Sequence, residues 1–221
     1  MSFKKSEFSH REELANAISH LTGAVLAIAG LILMLFYTLS RGNALQVITT
    51  AVFGSSMIIL YLSSTFTHWL KPGKVRDFFF NLDQISIYLL IAGTYTPITL
   101  VAIKGVYGWI MFGIEWGIAL GGILYRICKP NKYDEGVKLF NVILYAVMGC
   151  LFLFFILPVI RLIPTPAIIW ICIGGAFYLL GILFFRFIRF RYHHLIWHLF
   201  VLAGSISHFI AIFFYILPLV S

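Results

Sequence analysis

Three histidines, an aspartate and a serine stand at spacings that suit metal chemistry. Ser64 and His68 are four residues apart, as are His194 and His198. On a helix, residues four apart share a face, so His194 and His198 can chelate one ion from a single turn. A third imidazole from His68 makes three protein ligands and leaves one coordination position open, the arrangement of a catalytic zinc. Imidazole suits zinc, and also iron, copper and nickel. Asp83 would complete the tetrahedron or hold a water at the metal. Glu13, Asn16 and His20 fall at i, i+3 and i+7, so they share one helical face. They are expected to orient the site without binding the ion.

Each residue has a plainer reading when taken alone. A histidine near a helix end commonly sits at the membrane interface. Asp83 opens an apolar run, where a carboxylate caps free N–H groups and suits the helix dipole. The His193-His194 pair adjoins a basic loop and could face lipid headgroups. Joint placement decides against these readings, and it depends on the elements that carry the residues.

Those elements are membrane spans. Of 221 residues, 61% are hydrophobic and 11% charged. Soluble domains are nearer half apolar and a quarter charged, so the solvent for this surface is lipid. A span needs roughly 20 apolar residues. Seven runs qualify: Ile18–Leu39, Ala44–Trp69, Leu82–Ile103, Val106–Cys128, Val137–Ile160, Pro164–Phe185 and His194–Leu219. They are continuously apolar, which favours helices over the alternating strands of a barrel. Short loops leave no room for a soluble domain, so residues 1–221 are expected to form one all-α, seven-helix domain. The first run lacks a small-residue cleavage motif and is expected to be retained as a span.

The net charge of +8 is not a nucleic-acid signal, because the basic residues are dealt out in small groups between spans. One side carries thirteen: Lys4, Lys5, Arg11, Lys71, Lys74, Arg76, Arg126, Lys129, Lys132, Lys138, Arg186, Arg189 and Arg191. The other carries three: Arg41, Lys104 and Arg161. The positive-inside rule therefore puts the N-terminus in the cytoplasm and the C-terminus outside. In that topology His68, Asp83, His194 and His198 return to one depth at the cytoplasmic end, and Glu13, Asn16 and His20 join them.

Other features are plainer. Cys128, Cys150 and Cys172 form neither a disulfide framework nor a CxxC pair and read as small buried hydrophobes. Gly113, Gly117 and Gly121 repeat at four-residue spacing, which is expected to pack the fourth helix inside the bundle; a homodimer contact is the alternative. His208 lies about 15 Å beyond His198 at 1.5 Å per residue, too deep to be a ligand of the same ion. Glu115, in the fourth span, is expected to be protonated or paired rather than pore-lining.

The strings Ser64-Thr65-Phe66-Thr67-His68, Leu82-Asp83 and His194-Leu195-Ile196-Trp197-His198 resemble the SxxxH, D and HxxxH signature of the hemolysin III and progestin/adipoQ receptor family. Glu13 to His20 matches the family's ExxNxx[ST]H element, and Leu89 to Pro97 resembles its third span. The match runs in order along nearly the whole chain, and the compact N-terminus looks like the bacterial hemolysin III branch. The resemblance implies seven helices with the N-terminus inside, and zinc held by His68, His194 and His198. It also implies that Asp83 bonds the water at the zinc, with Ser64 beside it. The wider superfamily includes ceramidases and is regarded as one of membrane hydrolases. Bacterial members carry a lytic phenotype in their name and are linked to membrane-fluidity homeostasis.

The leading expectation is therefore a zinc-dependent hydrolase of a lipid amide or ester in a multi-pass cell membrane protein, with Asp83 and Ser64 as catalytic groups and membrane lipids as partners. The alternatives are a membrane-state sensor with a structural zinc, and a pore-forming hemolysin. The topology is open to direct test. Fusions at the C-terminus should give strong alkaline phosphatase activity and no green fluorescent protein signal; the reverse pattern contradicts the charge-based orientation.

Overall fold

A computed structural model describes residues 8–129, 135–188 and 190–220. Of the charges used for topology, Lys4, Lys5, Lys132 and Arg189 lie outside the described residues. The described chain is helical throughout its spans: α1 (His10–Arg41), α2 (Ala44–Trp69), α3 (Lys74–Pro97), α4 (Gly105–Cys128), α5 (Glu135–Gly149), α6 (Ile156–Leu162), α7 (Thr165–Arg186) and α8 (His193–Ala211). Among the described residues, seven segments are long and apolar enough to cross a membrane. The first, second, fourth and sixth spans are α1, α2, α4 and α7. The third is α3 extended to Ile103, the fifth runs from Glu135 to Leu162, and the seventh is α8 extended to Leu219.

In hydrocarbon the backbone must satisfy its own polar groups, which is why these segments are helices. Their outer faces are apolar and open: Phe36 is 76% exposed and Phe154 is 81% exposed. Such surface fits lipid and would not be tolerated over this extent in water.

Three boundaries depart from the apolar runs, and each bears on the site. Helix α1 begins at His10, ahead of the apolar run, because Ser9 and Glu12 form a reciprocal capping box. Those added polar turns carry Glu13 and Asn16. Helix α3 begins at Lys74, so Asp83 lies well inside it and caps nothing. The fifth span is broken at Gly149, where a tight 3-10 turn over Leu151–Phe155 separates α5 from α6. The hydroxyl of Tyr95 bridges that break, donating to the Gly149 carbonyl at 3.3 Å and accepting from the Phe152 N–H at 3.2 Å.

Helix α1 packs along α2, α2 along α3 and α7 along α8, while α8 returns to α1. Without a hydrophobic drive between helices in lipid, close approach and polar contacts must do the joining. Gly23 lies against the Tyr61 ring, where an added Cβ would stand 2.6 Å away. Gln46 of α2 donates to the Leu217 carbonyl at 2.6 Å, tying the ends of the second and seventh spans together. The glycine stripe does not pack the fourth helix inside the bundle. Gly113, Gly117 and Gly121 are exposed, and an added Cβ at any of them meets nothing within 4 Å. They face outward, because α4 turns Glu115, Ala119 and Gly122 inward instead. The cysteine expectation also fails in part: Cys128 and Cys172 are exposed and Cys150 is half-buried.

Candidate metal centre

Helix α2 ends in the turn that carries His68, and α8 opens with the turn that carries His194. The contact of both helices with α1 sets these two ends side by side. The ring centroids of His68, His194 and His198 are 5.0, 5.1 and 4.6 Å apart, pair by pair. Each offers a nitrogen, and the three nitrogens lie within 4.8 Å of one another. Among the described residues this is the one such group. His68 and His198 are buried and His194 is half-buried.

The outer contacts of two rings fix which nitrogen is free. His68 Nδ1 meets Glu13 Oε2 at 2.6 Å. A carboxylate oxygen accepts, so Nδ1 carries the proton and Nε2 keeps its lone pair. His198 Nδ1 meets the Asn16 carbonyl at 3.1 Å and Ser19 Oγ at 3.0 Å. Ser19 spends its own hydrogen on the same carbonyl at 2.7 Å, so Nδ1 of His198 again donates. Both rings therefore present Nε2 as a ligand nitrogen. Carboxylate and carbonyl partners of this kind hold metal-binding imidazoles in orientation and raise their basicity. The donor set fits a borderline divalent ion such as zinc on chemistry alone.

Glu13 is itself held. Arg76, at the start of α3, donates to its second oxygen and also to the Thr67 carbonyl, the latter at 2.7 Å. One arginine thus links α1, the end of α2 and α3 around His68. His20 lies flat against His198, with centroids 3.5 Å apart and planes 14° apart, and meets Tyr61 edge-on. The Asn16 side chain makes no hydrogen bond among the described residues, and its main-chain carbonyl is the part that reaches His198. Phe8 packs its ring over His68, His193 and His194 at 5.0–6.3 Å between centroids. His193 turns away, its Nδ1 against the Phe190 carbonyl at 2.8 Å.

Asp83 is half-buried and stands outside the three-nitrogen group. Ser64 is the polar side chain near its carboxylate. Arg76 and Phe8 are not singled out by their spacing, and Ser19 enters only as the Ser/Thr position of the ExxNxx[ST]H element. Arg76 enters the sequence reading only as a topology charge; its place in the first turn of α3 sets it beside the end of α2.

The site opens into a cavity of about 1430 Å³. Ser64, His68, Asp83, His194 and His198 line one end. Leu90, Ile91, Val159, Ile163 and Ile168 are among the apolar side chains deeper in. The volume exceeds the roughly 300–1,000 Å³ of ordinary small-molecule pockets. Glu115 is fully buried, has no hydrogen-bond partner among the described residues and is not on the cavity wall.

Fold and site define a class: a seven-helix, multi-pass membrane protein with a histidine cluster at one end of an internal cavity. The chain belongs to the Haemolysin-III related family, whose pattern it matches over residues 8–209. It is 38% identical over 211 residues to Hemolysin-3 of Bacillus cereus, covering 96% of this chain and 94% of that protein. It is 36% identical over 208 residues to the Hemolysin-3 homolog of Bacillus subtilis (strain 168), covering 94% and 96%. The Homo sapiens monocyte to macrophage differentiation factor is 30% identical over 213 residues, covering 93% of this chain and 84% of that protein. The family resemblance read from the motifs is thereby borne out.

The outer contacts give a prediction. Glu13→Gln and His20→Ala should each weaken metal binding by roughly 10–100-fold without abolishing it, as read by competition with a chelator of known affinity. Unchanged affinity in Glu13→Gln, or complete loss in His20→Ala, contradicts the supporting roles given to them.

Proposed function

We propose that this protein is a zinc-dependent membrane hydrolase that cleaves a lipid amide or ester. The observation that carries the reading is a three-imidazole donor set at one end of a large, mostly apolar cavity. Three protein ligands with a position to spare are the pattern of catalytic rather than structural zinc. A cavity of this size and lining suits an acyl chain, with the bond to be cleaved at its polar end.

Zinc held by Nε2 of His68 and His198 together with His194 would supply Lewis acidity, bringing the pKa of a coordinated water down to about 7. The chain's own groups do the rest. That Asp83 lines the same cavity outside the three-nitrogen group supports a role in orienting the attacking water and taking its proton. Ser64 stands near the Asp83 carboxylate on the cavity wall, and its hydroxyl donates a hydrogen bond to the developing oxyanion. The water oxygen bonds to the substrate carbonyl carbon and the C–N or C–O bond breaks. The proton held by Asp83 then passes to the departing amine or alcohol. Glu13 and Asn16 keep the two imidazoles turned toward the cavity throughout.

Lipidomics tests this reading. Cells carrying the wild-type protein should deplete at least one amide- or ester-linked lipid and accumulate its cleavage products. Cells carrying a His194→Ala/His198→Ala variant at equal abundance should not. Identical lipid profiles overturn the hydrolase and favour a membrane-state sensor.

A further inference from the structure

A smaller cavity, of about 300 Å³, lies at the end of the bundle opposite the histidine cluster, where the start of α2 meets the start of α4. Leu45, Leu100 and Val101 give it an apolar wall. Asn43, Gln46, Lys104 and Trp109 supply its polar side chains. Asn43, Lys104 and Trp109 are exposed, so a ligand can reach them.

The polar side-chain groups open to a ligand here are all donors. Asn43 and Gln46 form a reciprocal cap on α2. The Asn43 N–H donates to Gln46 Oε1 at 2.9 Å, and the Gln46 N–H donates to Asn43 Oδ1 at 3.0 Å. Gln46 Nε2 donates to the Leu217 carbonyl at 2.6 Å. The cap engages the amide oxygen of Asn43, so the group left over is its NH2, which only donates. The ammonium of Lys104 and the indole N–H of Trp109 also only donate. Lys104 brings a full charge and has no ion pair among the described residues. No Asp or Glu occurs in residues 14–76 or 84–114, the stretches that hold every side chain of this cavity. Three donors, one of them cationic, with no carboxylate among them, suit an anion that carries several acceptor oxygens.

The backbone adds an independent reason to look at Lys104. Its φ is 57° and its ψ −175°, a region where glycine is at ease and other residues are strained. Lys104 and Tyr192 are the two non-glycine residues with positive φ among the described ones. Glycine follows directly, with a φ of 55° at Gly105, yet position 104 carries a lysine. A lysine that only anchored a helix end would not need glycine's backbone. Strain of this kind gathers at ligand clamps.

We propose that this cavity holds the phosphate of an anionic phospholipid, in the leaflet opposite the histidine cluster. The phosphate oxygens accept from Lys104, Asn43 and Trp109, and a hydrocarbon chain covers the apolar wall. The site does not depend on the hydrolase reading.

Native mass spectrometry of the detergent-purified full chain tests it, with phosphatidylglycerol and phosphatidylcholine of identical acyl chains as probes. Both carry the phosphate, but the choline cation offsets it. The wild type should bind phosphatidylglycerol roughly fivefold more tightly, the worth of one lysine facing an anionic headgroup. Lys104→Gly removes the charge while relaxing the backbone, and should abolish that preference. Lys104→Arg keeps the charge and should keep the preference. Inorganic phosphate offers the oxygens without the chains, and at equal concentration should leave the lipid bound. Equal binding of the two lipids by the wild type overturns the site. So does an undiminished preference in Lys104→Gly, or its loss in Lys104→Arg. Displacement by inorganic phosphate overturns a lipid as the occupant.

Discussion

Lipid offers a polar group nothing in place of water, and an ionisable side chain inside a bundle must find its partners there or go without. That penalty organises this molecule. Glu13 is buried in α1, yet it meets both His68 and Arg76. His198 is buried in α8, yet its Nδ1 finds the Asn16 carbonyl and Ser19. These contacts pin α1, α2, α3 and α8 to one another at a single depth. The same requirement appears elsewhere, where Gln46 reaches Leu217 and the Tyr88 hydroxyl reaches Asn141 at 2.9 Å.

The consequence for chemistry is directional. Hydrogen bonds on the Nδ1 side of His68 and His198 leave Nε2 as the free nitrogen on each. Contacts that hold the bundle together therefore also set the tautomer a metal ligand needs. Asp83 and Ser64 line the same cavity as the imidazoles. Deeper in, the cavity wall turns apolar, the feature on which the lipid reading proposed above rests.

Much of this was legible from spacing. His194 and His198 share a helix turn, and alternation of spans brings His68 to their level; no tertiary detail was needed. The departures have physical causes. Hydropathy reads the lipid-facing surface, so it placed the start of α1 at Ile18 and missed the capped polar turns from His10. It began the third span at Leu82 for the same reason, which made Asp83 look like a cap when it lies inside α3. Four-residue glycine spacing identifies a helix face but not its direction, and on α4 that face looks outward. Arg76 and Ser19 act through contacts across 63 and 179 residues of sequence. No local pattern encodes such pairings, whereas the i, i+4 histidine pair announces itself.

The central claim is that His68, His194 and His198 hold one metal ion while Asp83 works beside it. Elemental analysis of protein purified without chelator tests this most directly. The account predicts about one zinc per chain in the wild type. His68→Ala, His194→Ala and His198→Ala should each lose the metal, and Asp83→Asn should keep most of it. Wild-type protein without stoichiometric transition metal contradicts the account, and so does Asp83→Asn losing metal as fully as the histidine variants.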